Sequence, residues 1–181
     1  MDTDPSDPEH IKINKFKETD LIELYSKRLI SRKANLDILI LGSYKPHNSI
    51  ADLEKLKDIL IEKGMKKAHL AIDFMQQRTQ ELTEAEYNYV NSFNQIKSCD
   101  FELFVLYGNR DSSGPATELQ FSLQSNFGSK VYVGIRSSDV SQVSSMIRGA
   151  IDHQKIVKYE FESLEDLASA FEGYLDNKEL I

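Results

Sequence analysis

Apolar residues fall into short runs and helical stripes that alternate from about residue 36 onward. Leu36 to Leu41 is a nearly unbroken apolar run ending at Gly42, the pattern of a first strand buried on both faces. Between Ala51 and Gly64, Leu53, Leu56, Ile59 and Leu60 recur at helical spacing, and Gly64 supplies a stop. Ala68 to Asp73 predicts a second strand. Thr83 to Lys97 predicts a helix, because Thr83 followed by Glu86 is a capping box. Phe101 to Tyr107 and Lys130 to Ile135 read as strands three and four, joined by a helix over about 115–126. Val140 to Asp152 reads as a helix, Val157 to Phe161 as a strand and Leu164 to Leu175 as a closing helix. Such alternation predicts an α/β fold: a doubly wound, flavodoxin-like, five-stranded parallel sheet in three α/β/α layers with right-handed crossovers.

Ahead of this pattern the chain is polar. Residues 1–17, with Pro5 and Pro8, predict a flexible tail. Thr19 and Asp20 can cap a helix over 18–34, whose Leu21, Ile22, Leu24, Tyr25, Leu29 and Ile30 form an apolar stripe for docking on the domain or a partner. Residues 35–181 are then expected to form a single nucleotide-binding-type domain.

Charge and cysteine content narrow the classes. With 29 acids against 22 bases the formal charge is −7, which argues against a grip on nucleic-acid backbone but leaves room for a small nucleotide. Apolar runs fall far short of the ~18 residues of a membrane-spanning helix, and MDTDPSDPEH has no hydrophobic segment of a secretory signal. A single cysteine, Cys99, gives no disulfide framework and suits a reducing compartment, so a cytoplasmic location is expected. His10, His47, His69 and His153 are scattered, and no metal motif is present; neither a metal nor a cofactor is expected.

Candidate chemistry lies where strands run into helices. The first strand leaves through Gly42, Ser43, Tyr44 and Lys45, where the glycine admits close backbone approach and the following helix N-terminus favours an anion. This is neither a Rossmann fingerprint nor a P-loop. The third strand leaves through Gly108, Asn109, Arg110, Asp111, Ser112, Ser113 and Gly114 into a helix opening with Pro115-Ala116-Thr117-Glu118. A glutamate in a first turn also suits the helix dipole. In a flavodoxin-like strand order the two loops face one another across the ligand-binding edge, which makes Glu118 the leading candidate for a reactive carboxylate. Lys45, Arg110 and Arg78 stand near strand carboxyl ends and could hold a phosphate; as loop residues they equally suit solvent. Cys99, with no histidine near it in sequence, reads as structural, and Ser112 and Ser113 form no nucleophile elbow.

Several segments together resemble the nucleoside 2-deoxyribosyltransferase-like superfamily, a group related in fold to nucleotide-sugar hydrolases and TIR-like NAD-cleaving domains. They are Ser98-Cys99-Asp100 before the third strand, Asp111 and Gly114 in its loop, Ala116-Thr117-Glu118-Leu119 at the helix start, Gly128-Ser129-Lys130-Val131, and the glycine-aromatic Gly42-Ser43-Tyr44. The resemblance in layout spans about residues 36–175. It implies that Glu118 attacks the anomeric carbon of a nucleoside or nucleotide, or stabilises its positive charge. Asp73 and Asp111 would supply the proton donor or orient the ribose. Gly42, Ser43, Tyr44, Lys45, Asn109, Arg110, Ser113 and Gly114 would bind substrate. The chain departs from the pattern in the loop Phe74 to Arg78, which lacks an aromatic-rich base-binding motif, and in the aspartate of Ser-Cys-Asp, which falls one place late. Three readings follow: an N-glycosidic hydrolase or deoxyribosyltransferase, a nucleotide-sensing module without turnover, and a TIR-like NAD-cleaving signalling domain regulated by self-association into a homo-oligomer.

Overall fold

The apolar runs become the centre of a parallel sheet. The computed structural model describes residues 27–28, 31–43, 48–73, 83–108, 113–125 and 128–179. Strands β1 (Asp37–Gly42), β2 (Lys67–Leu70), β3 (Phe101–Leu106), β4 (Val131–Arg136) and β5 (Val157–Phe161) lie in the order β2-β1-β3-β4-β5, with every pair parallel. Helices α1 (Asn48–Glu62), α2 (Glu84–Ser98), α3 (Ser113–Gln124), α4 (Ser145–His153) and α5 (Leu164–Glu179) make the crossovers and the closing layer. This is the doubly wound architecture that the alternation of runs and stripes predicts.

Strand geometry divides the core in two. Side chains alternate across a pleated strand, so Ile38 and Ile40 face one layer while Leu39 and Leu41 face the other. The first layer is α1 and α5, which bury Leu53, Leu56 and Leu60, and Leu167, Phe171 and Leu175. The second is α2, α3 and α4, with Phe93, Ile96, Leu119, Leu123, Ile147 and Ile151. Each such side chain contributes about 1.5–3 kcal/mol by leaving water. The register pairs Ile38 with Phe101 and Gly42 with Val105, so β1 and β3 end side by side. At the opposite edge Asp100 ties the same two strands together: its carboxylate accepts from Asp37 N at 2.9 Å, and its own N–H donates to Asp37 O at 2.8 Å.

Element ends show where local chemistry overrides pattern. Gly64 stops α1 at φ +98°, a conformation that suits glycine. The Thr83–Glu86 capping box forms, with Glu86 N donating to Thr83 Oγ1 and Glu86 Oε2 accepting from Thr83 N. The second strand stops at Leu70 rather than Asp73, because the Asp73 carboxylate accepts from Leu70 N at 2.9 Å and folds the chain into a 3-10 turn. The single helix expected over 140–152 is two pieces. A 3-10 turn covers Ser137–Gln142, and α4 starts only at Ser145, where the Ser144 hydroxyl accepts from Met146 N.

The expected tail 1–17 lies outside the described residues, as does the apolar stripe Leu21 to Ile30. Of the expected helix 18–34, residues 27–28 and 31–33 are described and helical. Lys33 anchors its end to α5 through Glu172 at 3.2 Å and Asp176 at 2.7 Å, while Lys63, in the turn after α1, reaches Glu172 at 3.0 Å. Among the described residues no helix is long and apolar enough to cross a membrane.

Gly134 in β4 gives a direct test of the helix–sheet contact. A Cβ there would lie 2.6 Å from Leu167 Cδ1, and Leu167 is fully buried. Gly134→Ala should therefore lower unfolding stability by about 1–3 kcal/mol in urea titration, the usual range for overpacking. An unchanged midpoint would show that α5 yields freely.

Candidate functional site

Glu118 lies in the second turn of α3, because the helix begins at Ser113, two residues before the expected start. This weakens the dipole explanation for the residue, since that effect is confined to the first turn. Its side chain faces α2. It lines a cavity of about 340 Å³ with Gly114 and Thr117 of its own helix and Asn88, Tyr89, Ser92 and Phe93 of α2. Burial pushes the Glu118 carboxyl above the usual carboxylate range, and a hydrogen bond from Ser92 draws it partly back. A desolvated carboxylate held by one neutral donor keeps its basicity and is suited to attack or to charge stabilisation.

A larger cavity of about 700 Å³ adjoins the first and shares Tyr89, Phe93 and Thr117 with it. Its walls come from α2, α3 and α4 and include Leu119, Phe121 and Ile147. Tyr89, Phe93 and Phe121 form an edge-to-face series, with centroids 4.4 Å and then 4.2 Å apart. The surface offered beside the carboxylate is mostly apolar and includes these three aromatic rings.

The other residues singled out in the sequence have varied fates. Gly114 borders the Glu118 cavity, with nothing among the described residues within 4 Å of where a Cβ would stand, and Ser113 is the first residue of α3. Gly42 ends β1 and Ser43 follows it; both are buried, but they do not line that cavity. A Cβ on Gly42 would meet Leu53 Cδ2 at 2.9 Å, so this glycine admits α1 close against the sheet. Asp73 is held: Lys57 Nζ donates to its two oxygens at 3.3 and 3.1 Å, and Leu70 N donates to one of them. Tyr44, Lys45, Arg78, Asn109, Arg110 and Asp111 lie outside the described residues. Cys99 is buried, and burial, with Glu102 adding to it, pushes its thiol up to about 12. Among the described residues no group of acids, histidines and cysteine could hold a metal ion.

Several groups around the site were not singled out in the sequence. Asn88, Tyr89, Ser92 and Phe93 share one α2 face, at helical spacing fixed by the capping box. Glu102 interrupts the apolar β3 run and is fully buried beneath α3. Ser122 bonds to it, Lys130 Nζ stands 3.6 Å away, and burial pushes its carboxyl up to about 7 against these two partners. A charge inside an otherwise apolar strand was the visible signal. At the carboxyl edge, Arg136 lies 4.8 Å from the Tyr107 ring centre and 3.5 Å from Asp52 Oδ2.

A search of solved structures finds a likeness to the 2-deoxyribosyltransferase of the psychrotolerant bacterium Bacillus psychrosaccharolyticus, described as a biocatalyst for nucleoside synthesis. The TM-score is 0.55 at 16% identity, over 72% of this chain and 89% of that one. The likeness is one of fold. No protein-family model matches the chain, and no curated protein does.

Two measurements test the electrostatics. Ser92→Ala removes the donor that opposes desolvation, so the Glu118 carboxyl should titrate at higher pH than in the parent by carbon-13 NMR; a lower midpoint would refute the contact. For Glu102 the folded pKa exceeds the unfolded one, so its contribution to stability is fully present below about pH 4.5 and is lost as pH rises through about 7. Relative to Glu102→Gln, the parent should therefore lose about 3–4 kcal/mol of stability across that window, taking ~1.4 kcal/mol per pH unit. Parallel curves would exclude the raised pKa.

Proposed function

We propose that the protein transfers or hydrolyses the glycosyl group of a nucleoside or nucleotide, with Glu118 as the carboxylate that meets the anomeric carbon. The observation that carries this reading is the position of Glu118: desolvated, in a cavity, and beside an aromatic hollow. The sugar occupies the smaller cavity and the base lies against Tyr89, Phe93 and Phe121, whose faces and edges suit a flat ring. The ionised carboxylate attacks the anomeric carbon as the bond to the base nitrogen breaks, and the departing base takes a proton. Water or an acceptor base then displaces the carboxylate from the sugar. The likeness of fold to a 2-deoxyribosyltransferase supports the same chemistry. Asp111 is proposed as proton donor; Asp73, with its ties to Lys57 and Leu70, sets the turn after β2. Tyr44, Lys45, Asn109 and Arg110 are proposed to meet the ribose or a phosphate from the two edge loops.

A second reading, a nucleotide-binding module without turnover, draws on one observation. The Asp73 carboxylate is already bonded to Lys57 and to backbone, which removes one of the acids available for protonating or orienting a substrate. The two readings part on a single experiment. Nucleosides, nucleotides and NAD are incubated with the parent and with Glu118→Gln, and free base is measured by chromatography. Glycosyl transfer requires base release by the parent and a loss of at least ~10²-fold in the variant, the scale for removing a nucleophile. The parent's rate should also rise with pH through a midpoint above the ordinary carboxylate range, because the nucleophile must be ionised. Saturable binding without base release would instead favour the module.

A further inference from the structure

The Ser122 hydroxyl has one proton and two acceptors in reach. One is Glu102 Oε2, in a short contact; the other is the carbonyl oxygen of Glu118, at 3.1 Å. Both acceptors cannot be served at once unless Glu102 itself carries a proton. As the neutral acid, Glu102 donates to Ser122 Oγ, and Ser122 is then free to donate to Glu118 O. As the anion, Glu102 can only accept, so the hydroxyl turns toward it and leaves the Glu118 carbonyl. The surroundings permit both forms. Glu102 is fully buried, and among the described residues no donor comes within ordinary hydrogen-bond distance of its Oε1. Lys130 Nζ, 3.6 Å from that oxygen, donates to Ile96 O at 2.6 Å and Cys99 O at 2.9 Å. This cation is near enough to stabilise an anion, yet its short bonds go to backbone carbonyls.

We propose that Glu102 is a positioning residue for Glu118. Its neutral acid aims the Ser122 hydroxyl at the Glu118 carbonyl and holds that turn of α3; loss of the proton to solvent turns the hydroxyl back and sets a second negative charge near the Glu118 carboxylate. Among the described residues, few titratable groups face Glu102. Lys130 approaches from the turn before β4, Cys99 from the end of α2 and Glu118 from α3, while its strand neighbours Leu39 and Val131 do not titrate. Of the charged groups, Lys130 favours the anion and Glu118 opposes it, as burial does. The influence is mutual, since charge interaction acts equally on both partners. A pH change at the buried strand is thereby passed to the reactive turn in two ways, through the hydroxyl bond and through space.

The catalytic importance of this relay rests on the glycosyl-transfer reading, but its existence does not, and NMR separates the two. In the full-length labelled chain, the backbone carbonyl carbon and side-chain carboxyl carbon of Glu118 are followed from about pH 4 to about pH 9, alongside the Glu102 carboxyl. Both Glu118 signals should inflect at the Glu102 midpoint. Glu102→Gln should erase the inflection from both. Ser122→Ala should erase it from the backbone carbonyl and leave it at the carboxyl, which feels the charge through space. A Glu118 carbonyl that stays flat across the Glu102 midpoint would overturn the relay, as would an inflection that survives Glu102→Gln. A Glu102 carboxyl in one charge state throughout would overturn it too. Intact coupling in a protein that releases no base would sink the glycosyl reading and leave the relay standing.

Discussion

The side-by-side parallel pairing of β1 and β3 is the constraint on which the rest is built. Parallel neighbours cannot be joined by a tight turn, so the chain must cross over, and right-handed crossovers send α1 to one face and α2 and α3 to the other. The pairing therefore does two things. It opens the carboxyl edge, and it brings α2 and α3 together over a single face. The cavity beside Glu118 is a product of that second effect, since its walls are two helices separated in sequence by β3.

Burial then sets the chemistry. Two glutamates are desolvated within one layer, one on β3 and one on the helix that follows it. Among the described residues, neither meets a short, direct ion pair of the kind that holds Lys33 to Asp176 at the surface of α5. Carboxyls in this setting keep a higher proton affinity than their exposed counterparts. Among the exposed acids, Glu86 and Glu165 shift the other way, each because its partner, Thr83 or Lys55, donates to the charged form. The contrast separates acids that fasten helices from those whose proton is poised to move.

Much of the fold could be read from residue order because buried strands and amphipathic helices leave different periodicities. Leu36 to Leu41 and Phe101 to Tyr107 fall on β1 and β3 to within a residue or so, and the Thr83–Glu86 pair marks the start of α2. The errors lie where side chains redirect the backbone: Asp73 ends β2 early, and Ser144 restarts a helix that apolar spacing alone runs through. The site was harder to read. Glu118 stands out as an acid after a small-residue loop, but Ser92 and Asn88 become its neighbours only when two helices pack. Gly42 shows the opposite difficulty, for a glycine that suits a ligand loop also suits close contact with Leu53, and sequence does not separate the two uses.

Cys99 carries a practical consequence. Its sulfur is enclosed at the end of α2, and a thiol with its proton held to about pH 12 presents almost no thiolate at neutral pH. Alkylating agents and disulfide exchange should pass it by while the native packing lasts. The chain thus brings its own silent background for site-directed labelling: a cysteine introduced on the exposed rim at Met146 could take a fluorophore selectively, and reaction at the buried sulfur would report that the layer above it had opened.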